Sequence, residues 1–281
     1  MKRKSLYLVC ALLVLSACST KFVYNNLDWL LYSYLNDYVE LDRKQKGAFD
    51  LTVTQLHDWH RAKELSLYRQ QLMDLQEAVQ TGPISENQWL AIFAQGMDHW
   101  TRSRDRIAPE LLPIAQDLTD QQIKNLFEKL RKEDDKRIRK YNKKTEQEHL
   151  ADNIEKSRDL MEDWLGRLTK EQVAVMADYL PQFESNFDPW MLYRKEIQQA
   201  ARELFDTRKY NVNFEKDLLA LLLNPEAYQS AEYIRISDHN LHLSAQMLAQ
   251  ISALMTEKQK GKLSKELQDL IDDLADLIED D

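Results

Sequence analysis

Apolar residues recur at intervals of three and four positions along most of the chain, as expected for helices that bury one face. One long helix from residue 42 to about residue 80 would carry Leu51, Leu56, Trp59, Leu65, Leu72 and Leu75 on its buried side. The same pattern predicts an aromatic helix over 24–39 and further helices that begin near residues 85, 119, 169, 188, 214, 227 and 256. We therefore expect an all-α fold, a multi-helix bundle.

The composition agrees with helices and argues against sheets. Only 5 Gly and 6 Pro occur among the 281 residues, and the tight turns between strands depend on these two residue types. The scarcity argues against sandwiches, barrels and doubly wound sheets. Hydrophobic residues make up 43 % of the chain and charged residues 30 %, which is enough apolar material for a folded core.

Three five-residue motifs, at 118–122, 168–172 and 255–259, open predicted helices with Thr in the second position and Gln in the fifth. A fourth copy at 41–45 has Asp in place of Thr. A Thr or Asp followed three residues later by Gln predicts a capping box, in which each side chain binds the backbone N–H of the other residue. The predicted cap residues are Asp42 and Gln45, Thr119 and Gln122, Thr169 and Gln172, and Thr256 and Gln259.

The order of these motifs suggests a tandem duplication. Between the first two boxes lie Leu67-Tyr68-Arg69 and then Asp98-His99, and between the last two lie Leu192-Tyr193-Arg194 and then Asp238-His239. We infer two similar helical units near 41–135 and 168–281. Short matches on helices also arise by chance, so the motifs can be interpreted as helix caps alone.

A strongly basic stretch separates the two units. Residues 129–144 hold nine Lys or Arg and three acids, and a helix with so few apolar residues cannot be buried on all sides. We expect a long charged helix that runs from Thr119 towards Trp164 and joins the units as an exposed arm. The predicted organisation is a signal peptide at 1–17, a first unit at 18–135, a charged connector at 136–167 and a second unit at 168–281.

The N-terminus resembles a bacterial lipoprotein signal. Lys2, Arg3 and Lys4 precede a short apolar run, and the small residues Ser16 and Ala17 precede Cys18. The resemblance implies cleavage before Cys18, acylation of this residue, and a body on the periplasmic side of the outer membrane, because Ser19 is not the Asp of the inner-membrane retention signal. An ordinary cleaved secretory signal is the alternative.

Removal of residues 1–17 changes the charge and the available chemistry. It removes three positive charges, so the net charge of −9 becomes −12, and an acidic body disfavours nucleic acid as a partner. Cys10 leaves with the signal and Cys18 is acylated. We therefore expect no disulfide, no Cys nucleophile and no Cys metal site.

Familiar catalytic signatures are absent from the sequence: it has no Gly-rich phosphate loop, nucleophile elbow or zinc-protease motif. Asp238, His239 and His242 would share one helix face that can hold a metal, but no further ligand accompanies them. His57 and His60 have the same spacing around Trp59, where packing beside the aromatic ring is the simpler interpretation. We expect no catalytic residue, no cofactor and no metal.

Two resemblances bear on function. The segment from Tyr24-Asn25-Asn26 through Trp29 and Tyr32 to Tyr38-Val39-Glu40-Leu41-Asp42, with Gln45 and Trp59-His60, resembles an uncharacterised family of bacterial lipoproteins, domain of unknown function 6279. The Leu-Thr-x-x-Gln motif is similar to that of the Spy/CpxP-like periplasmic helical chaperones. This second resemblance implies a cradle for unfolded polypeptides, and a duplicated chain would resemble the chaperone dimer fused into one molecule.

We expect a non-enzymatic, lipid-anchored periplasmic binding protein that holds unfolded envelope polypeptides or a specific envelope partner. The candidate binding residues are Trp29, Tyr32, Tyr34 and Tyr38 of the aromatic helix and Arg137 and Lys140 of the basic stretch. The alternative for the aromatic helix is a buried core element. The alternatives for the protein are a structural scaffold of an envelope assembly and a hydrolase that uses the His and Asp clusters.

Acylation of Cys18 can be tested directly. We expect mass spectrometry of the mature N-terminal peptide to find Cys18 as the first residue, carrying two or three acyl chains. Cys18→Ser should abolish the modification and release the protein from the membrane fraction, because the acyl chains supply the attachment. A free, unmodified N-terminus downstream of Cys18 would contradict the lipoprotein interpretation.

Overall fold

The computed structural model describes residues 23–279, most of which are helical. The α-helices are α1 (Leu27–Asn36), α2 (Arg43–Trp59), α3 (Leu65–Thr81), α4 (Glu86–Gln116), α5 (Asp120–Tyr141), α6 (Glu146–Leu165), α7 (Lys170–Tyr179), α8 (Phe187–Thr207), α9 (Phe214–Leu223), α10 (Ala231–Ala253) and α11 (Glu257–Glu279). A π-helical segment, His60–Glu64, joins α2 to α3, and 3₁₀ turns lie at Leu180–Gln182 and Pro225–Tyr228. Since the described residues contain no strand, the expected all-α multi-helix bundle is confirmed.

All four predicted capping boxes form. The backbone N–H of Gln45 donates to the Asp42 carboxylate at 2.9 Å, and the N–H of Asp42 donates to Gln45 Oε1 at 3.0 Å. The three Thr–Gln boxes repeat this exchange at distances of 2.8–3.2 Å. Each box provides partners for N–H groups that a helix N-terminus leaves unpaired. Helices α2, α5, α7 and α11 therefore begin where the sequence predicts.

The cap glutamines of α2 and α5 also bind each other. Gln122 Nε2 donates to Gln45 Oε1 at 2.7 Å, and Gln45 Nε2 donates to Gln122 Oε1 at 3.2 Å. Each Nε2 also reaches the chain ahead of the opposite helix, since Gln45 donates to the Asp117 carbonyl at 2.6 Å and Gln122 to the Glu40 carbonyl at 2.7 Å. Both amides use all their donors, and the two helix N-termini are held side by side.

The cap glutamines of α7 and α11 repeat this arrangement. Gln259 Nε2 donates to Gln172 Oε1 at 2.8 Å, and Gln172 Nε2 donates to Gln259 Oε1 at 3.1 Å. The second donor of Gln172 reaches the Leu254 carbonyl at 3.4 Å, and that of Gln259 reaches the Arg167 carbonyl at 3.2 Å. We call each such arrangement a glutamine pair. The duplication stays an inference from the sequence, and the structure adds that both halves contain the same bonding pattern.

The two halves are interlocked. By the order of the landmarks, α2, α3, α4 and α5 correspond to α7, α8, α10 and α11, while α9 has no counterpart in the first half. The last helix of each half packs on the other half: α11 lies along α3, and α5 packs against α8. Helices α4 and α10, which correspond to each other, are also in contact.

The hydrophobic core crosses between the halves as well. One cluster contains Val39, Leu118, Ile123 and Phe127 together with Phe205, Phe214 and Leu218. A second contains Leu72, Val79 and Ile84 together with Leu267 and Ile271. Because buried apolar contact stabilises both halves at once, the two units do not form separate globular bodies.

The prediction of one long connector helix is wrong. Helix α5 ends at Tyr141, and α6 begins at Glu146 after a capping box between Thr145 and Glu148. This box starts a new helix at a position that was not among the predicted helix starts. The charged stretch is also not a detached arm, because the Asp134 carboxylate in α5 accepts hydrogen bonds from Arg194 at 2.9 Å and Gln198 at 2.8 Å, both in α8.

The glutamine pair can be tested with Gln172→Ala. Gln172 is completely buried, so its loss removes a cap, one donor and one acceptor partner of the Gln259 amide, and the hydrogen bond to the Leu254 carbonyl. We expect the free energy of unfolding, measured with urea, to fall by about 3 kcal/mol. The control is Gln121→Ala at an exposed position of the first turn of α5, which should change it by less than about 0.5 kcal/mol. Equal effects of the two substitutions would contradict a special role for the pair.

Candidate functional site

Helix α1 lies on the outside of the bundle. None of its residues is buried, and Trp29 and Tyr34 are 65 % and 52 % exposed. The alternative that this aromatic helix is a core element is therefore wrong. Leu35 does pack against a core cluster, so α1 is attached along one side while its largest aromatic residues point to solvent.

The tyrosines near the end of α1 form a connected group with lysines. The rings of Tyr34 and Tyr38 are 5.1 Å apart, and the Tyr34 hydroxyl donates to the Tyr38 hydroxyl at 3.4 Å. Burial, with a further contribution from Tyr34, raises the pKa of Tyr38 to about 12, so its phenol stays neutral. Lys46 Nζ lies 4.1 Å from the centre of the Tyr32 ring, and Lys129 Nζ lies 5.9 Å from that of Tyr38.

Helix α5 supplies the basic side of this surface. Arg137 lies near enough to Tyr38 to lower the pKa of its phenol in part, and its guanidinium is 5.9 Å from the Trp190 ring. Arg137 Nε is also 3.8 Å from the Asp134 carboxylate. Lys140 is exposed one turn further along α5.

We call this region the aromatic–basic surface: Trp29, Tyr32, Tyr34 and Tyr38 with Lys46, Lys129, Arg137 and Lys140. The structure brings Tyr34, Tyr38 and Arg137 of the predicted set together. Tyr32 makes a separate contact with Lys46, which is not among the predicted residues. Trp29 occupies the opposite end of α1, and Cys18, the predicted acylation site, lies outside the described residues.

His239 and His242 do not come together with further ligands. His239 Nε2 lies 3.3 Å from the Gln182 carbonyl and 3.7 Å from Glu184, whereas His242 Nδ1 lies 3.5 Å from Glu86. Within residues 23–279, no group of three or more His, Cys, Asp or Glu side chains is arranged to hold a metal ion. The two histidines instead connect neighbouring surface elements.

A buried ionic cluster that the sequence did not predict lies between α4 and the end of the π-helical segment. Glu64 is only 2 % exposed, and its carboxylate accepts two hydrogen bonds from Arg102, at 3.0 Å from Nε and 3.2 Å from a terminal nitrogen. His99 lies beside this pair, with Nδ1 3.4 Å from Glu64. A buried carboxylate needs such a partner, because an uncompensated charge is costly away from water.

The two ring nitrogens of His99 have different partners. Nε2 donates to Gln71 Oε1 at 2.9 Å, whereas Nδ1 lies between Arg102 and the Glu64 carboxylate. Gln71 Nε2 in turn donates to the Ile92 carbonyl at 2.9 Å. Burial lowers the pKa of His99 below its usual range, which favours the neutral form. We call Glu64, Gln71, His99 and Arg102 the ionic cluster.

His60 connects this region to the chain ahead of α1. Its Nδ1 lies 3.0 Å from the Tyr24 hydroxyl, and its Nε2 lies 3.2 Å from the Tyr68 hydroxyl. The Tyr68 ring meets the His99 ring edge-on, with 4.5 Å between the ring centres. A chain of aromatic contacts therefore runs from Tyr24 to the ionic cluster. Burial lowers the pKa of His60 to about 4.

The π-helical segment positions both His60, in the middle of these aromatic contacts, and Glu64 of the ionic cluster. His60 and Glu64 are the first and last residues of this wide turn, and such turns insert one extra residue into a helix and often occur at functional sites. The sequence did contain a signal, since His60, Glu64, Tyr68 and Gln71 recur every three or four positions. The predicted packing of His60 beside Trp59 is also present, with 6.3 Å between the two ring centres.

One broad depression lies elsewhere, between the start of α5 and the chain that links α8 to α9. Its volume is about 950 Å³, and its lining includes Asp117, Thr119, Asp120, Arg208, Lys209 and Lys216. Asp120 pairs with both Arg208 and Lys209. These polar and internally paired walls do not make the apolar groove that a chaperone cradle would need.

Comparison with known proteins identifies a family whose function is unknown. The model of a family of unknown function, DUF6279, matches residues 37–234, which is more than half of the chain. Neither a curated protein nor a solved structure matches the chain. The likeness to the Spy/CpxP chaperones stays a prediction. Among the helices of the described part, none has the length and apolar character needed to cross a membrane.

The ionic cluster can be tested with Arg102→Met, which keeps an apolar stem but leaves Glu64 buried without its cation. We expect the free energy of unfolding at pH 7 to fall by about 3 kcal/mol. Adding Glu64→Gln should restore part of this loss, because the uncompensated charge is then gone. The control Arg106→Met breaks the more exposed pair with Glu110 in the same helix and should cost less than about 1 kcal/mol. A double variant no more stable than Arg102→Met would contradict this account.

Proposed function

Because the chain belongs to the family of unknown function DUF6279, we propose a function from its surface: a non-enzymatic, lipid-anchored periplasmic protein that binds envelope polypeptides. The observation that carries this proposal is the exposure of Trp29 and Tyr34 on a helix that lies outside the bundle. Contiguous apolar surface marks interaction sites, and Trp29, Tyr32 and Tyr34 all lie on the one short helix α1. The rings of Trp29 and Tyr34 offer apolar contact area with little loss of side-chain entropy.

The basic residues beside these rings extend the contact. Lys129 and Arg137 lie near Tyr38, and Lys46 lies over Tyr32, so a bound segment would meet apolar faces flanked by cations. Exposed cations of this kind attract carboxylates and backbone carbonyls but contribute little energy each. Binding of this type is weak and adaptable, which suits a partner that is unfolded or partly folded.

The proposed anchor would keep this surface close to the membrane. Only eight residues lie between Cys18 and Leu27, the first residue of α1, and a fully extended segment of this length spans about 30 Å. Acylation of Cys18 would therefore hold α1 near the lipid headgroups. Polypeptides on their way to the outer membrane would meet the aromatic–basic surface there.

The Leu-Thr-x-x-Gln motifs take no part in this proposal. Their Gln side chains are engaged in the glutamine pairs, so they stabilise the fold and leave no free group for a partner. The resemblance to the helical chaperones is thus limited to this motif, and here the motif stabilises the fold. For this reason we place binding on α1 and α5 rather than on the motifs.

A scaffold of an envelope assembly is the second candidate function. The interlocked halves and their shared core favour a rigid body, which suits one fixed partner. Pull-down from solubilised membranes separates the two candidates, because a scaffold should recover one partner in stoichiometric amount. The hydrolase alternative gains no support from His239 and His242, which lie at the surface beside Glu184 and Glu86.

Suppression of aggregation tests the proposed function. We expect the form that begins at Ser19 to suppress aggregation of a denatured client, measured by light scattering. Trp29→Ser combined with Tyr34→Ser should weaken this effect severalfold, because the apolar contact is lost. The control is Trp100→Ser on α4, where the ring is 44 % exposed but lies outside the proposed surface.

Two outcomes would count against this assignment. Wild-type protein without effect at severalfold molar excess would remove the general chaperone version and leave the scaffold. An equal loss in the Trp100→Ser control would show that exposed aromatic residues act without regard to position, and the assignment to α1 would then be wrong.

A further inference from the structure

Tyr24 joins the chain ahead of α1 to the body of the protein. Its hydroxyl is 3.0 Å from His60 Nδ1, and its ring centre is 4.6 Å from that of His57. The Arg61 guanidinium lies 5.6 Å from the centre of the same ring, and a terminal nitrogen of Arg61 donates to Asn25 Oδ1 at 3.0 Å. The chain just before α1 is therefore seated on the C-terminal end of α2 and the π-helical segment. We call this arrangement the Tyr24 seat.

The Tyr24 seat is poorly suited to an added positive charge. The positively charged Arg61 guanidinium already lies near the Tyr24 ring, and His57 and His60 both face the same ring. The acid nearest to His60 on its own turn is Glu64, whose carboxylate is occupied by Arg102. Two histidines and a guanidinium would therefore be three like charges around one ring.

The groups that face the seat come from several elements. His60 meets Glu64 and His57 from its own helix, Tyr68 from α3 and His99 from α4, and His57 meets Arg61, Asp58 and, from α1, Asp28. Helix α11 also packs against the π-helical segment, and its C-terminal half carries Asp272, Asp273 and Asp276. The charged groups that act on the pKa of His60 are Glu64, His57 and His99.

We propose that the Tyr24 seat is a proton-operated latch: uptake of protons by His60 and His57 opens the seat and releases residues 23–26 and α1 from α2. In the closed state the imidazoles are neutral, and the Tyr24 ring covers them. In the open state both rings are hydrated and carry their charge. The opening itself does not depend on the proposed function. Its effect on polypeptide binding does, because α1 carries three residues of the aromatic–basic surface, Trp29, Tyr32 and Tyr34.

The direction of the pH effect follows from linkage. Burial lowers the pKa of His60 to about 4, below its ordinary value of 6.5, and burial also lowers the pKa of His57. The closed state thus binds protons less tightly than the open state. Closure is favoured above about pH 6.5 and weakens as the pH falls towards 4. The His60 shift alone allows at most roughly a 300-fold change in the closing equilibrium.

Hydrogen exchange of the acylated, mature protein in detergent tests the latch. Peptides that cover 23–36 are compared with peptides of α10 at pH 7.5, 5.5 and 4.5, after correction for the intrinsic exchange rate. We expect protection of 23–36 to fall at least tenfold between pH 7.5 and 4.5, while α10 keeps its protection. His60→Gln keeps hydrogen-bonding groups but cannot take up a proton, and it should remove most of this pH response.

Two further variants make the test specific. Tyr24→Phe removes the hydroxyl bonded to His60 and should already lower protection of 23–36 at pH 7.5. His149→Gln is the matched control, because His149 also stacks on a tyrosine, Tyr141, with 4.2 Å between the ring centres, and it should leave the response of 23–36 intact.

Three outcomes would overturn the proposal. Equal loss of protection in 23–36 and α10 would mean acid unfolding of the whole bundle. An unchanged pH response in His60→Gln would exclude this histidine as the proton acceptor. A segment without protection at pH 7.5 would mean that no closed state exists. None of these results depends on the aggregation assay, so failure of the latch and failure of the proposed function are distinguishable.

Discussion

The reciprocal bonds between cap glutamines are the interaction on which the arrangement of the helices depends. A capping box alone fixes the residue at which a helix begins, but it does not fix the direction of that helix relative to its neighbours. Here each Gln side chain completes its own box and also binds the backbone ahead of a second helix, as Gln45 does at Asp117 and Gln172 at Leu254. Two helix starts are thereby fixed next to each other in each half. The long helices that follow can then pack only along a few directions.

The interlocking of the halves follows from these fixed starts. Helix α5 leaves the first pair and reaches α8 of the second half, while α11 leaves the second pair and reaches α3 of the first. Each half leaves apolar residues that the other half covers, and the clusters around Phe127 and Leu267 include residues of both. This packing also encloses the Glu64 carboxylate, which is paired with Arg102. The outcome is one body with an aromatic helix attached to its outside.

Local features of the fold could be predicted from the sequence, and long-range ones could not. The boxes at Thr119 and Thr169 lie within four residues, so the sequence was sufficient to find them. Gln45 and Gln122 are 77 positions apart, and nothing in either motif specifies its partner. The break at Thr145 was missed because the surrounding charge run suggested one continuous helix. Trp29 and Tyr34 were found as candidates, but the same residues fitted a buried helix equally well, and only tertiary packing decided between the two. Glu64 and Arg102 lie on different helices, so no periodic pattern could join them.

The order of the helices along the chain has a consequence for biogenesis. During synthesis from the N-terminus onwards, α3 is made long before α11, the helix that covers Leu72 and Val79. The apolar face of α3 stays uncovered until α11 has been made, so the molecule cannot fold in stages as a string of independent modules does. A premature stop codon ahead of α11 would therefore destabilise α3 in addition to removing α11 itself.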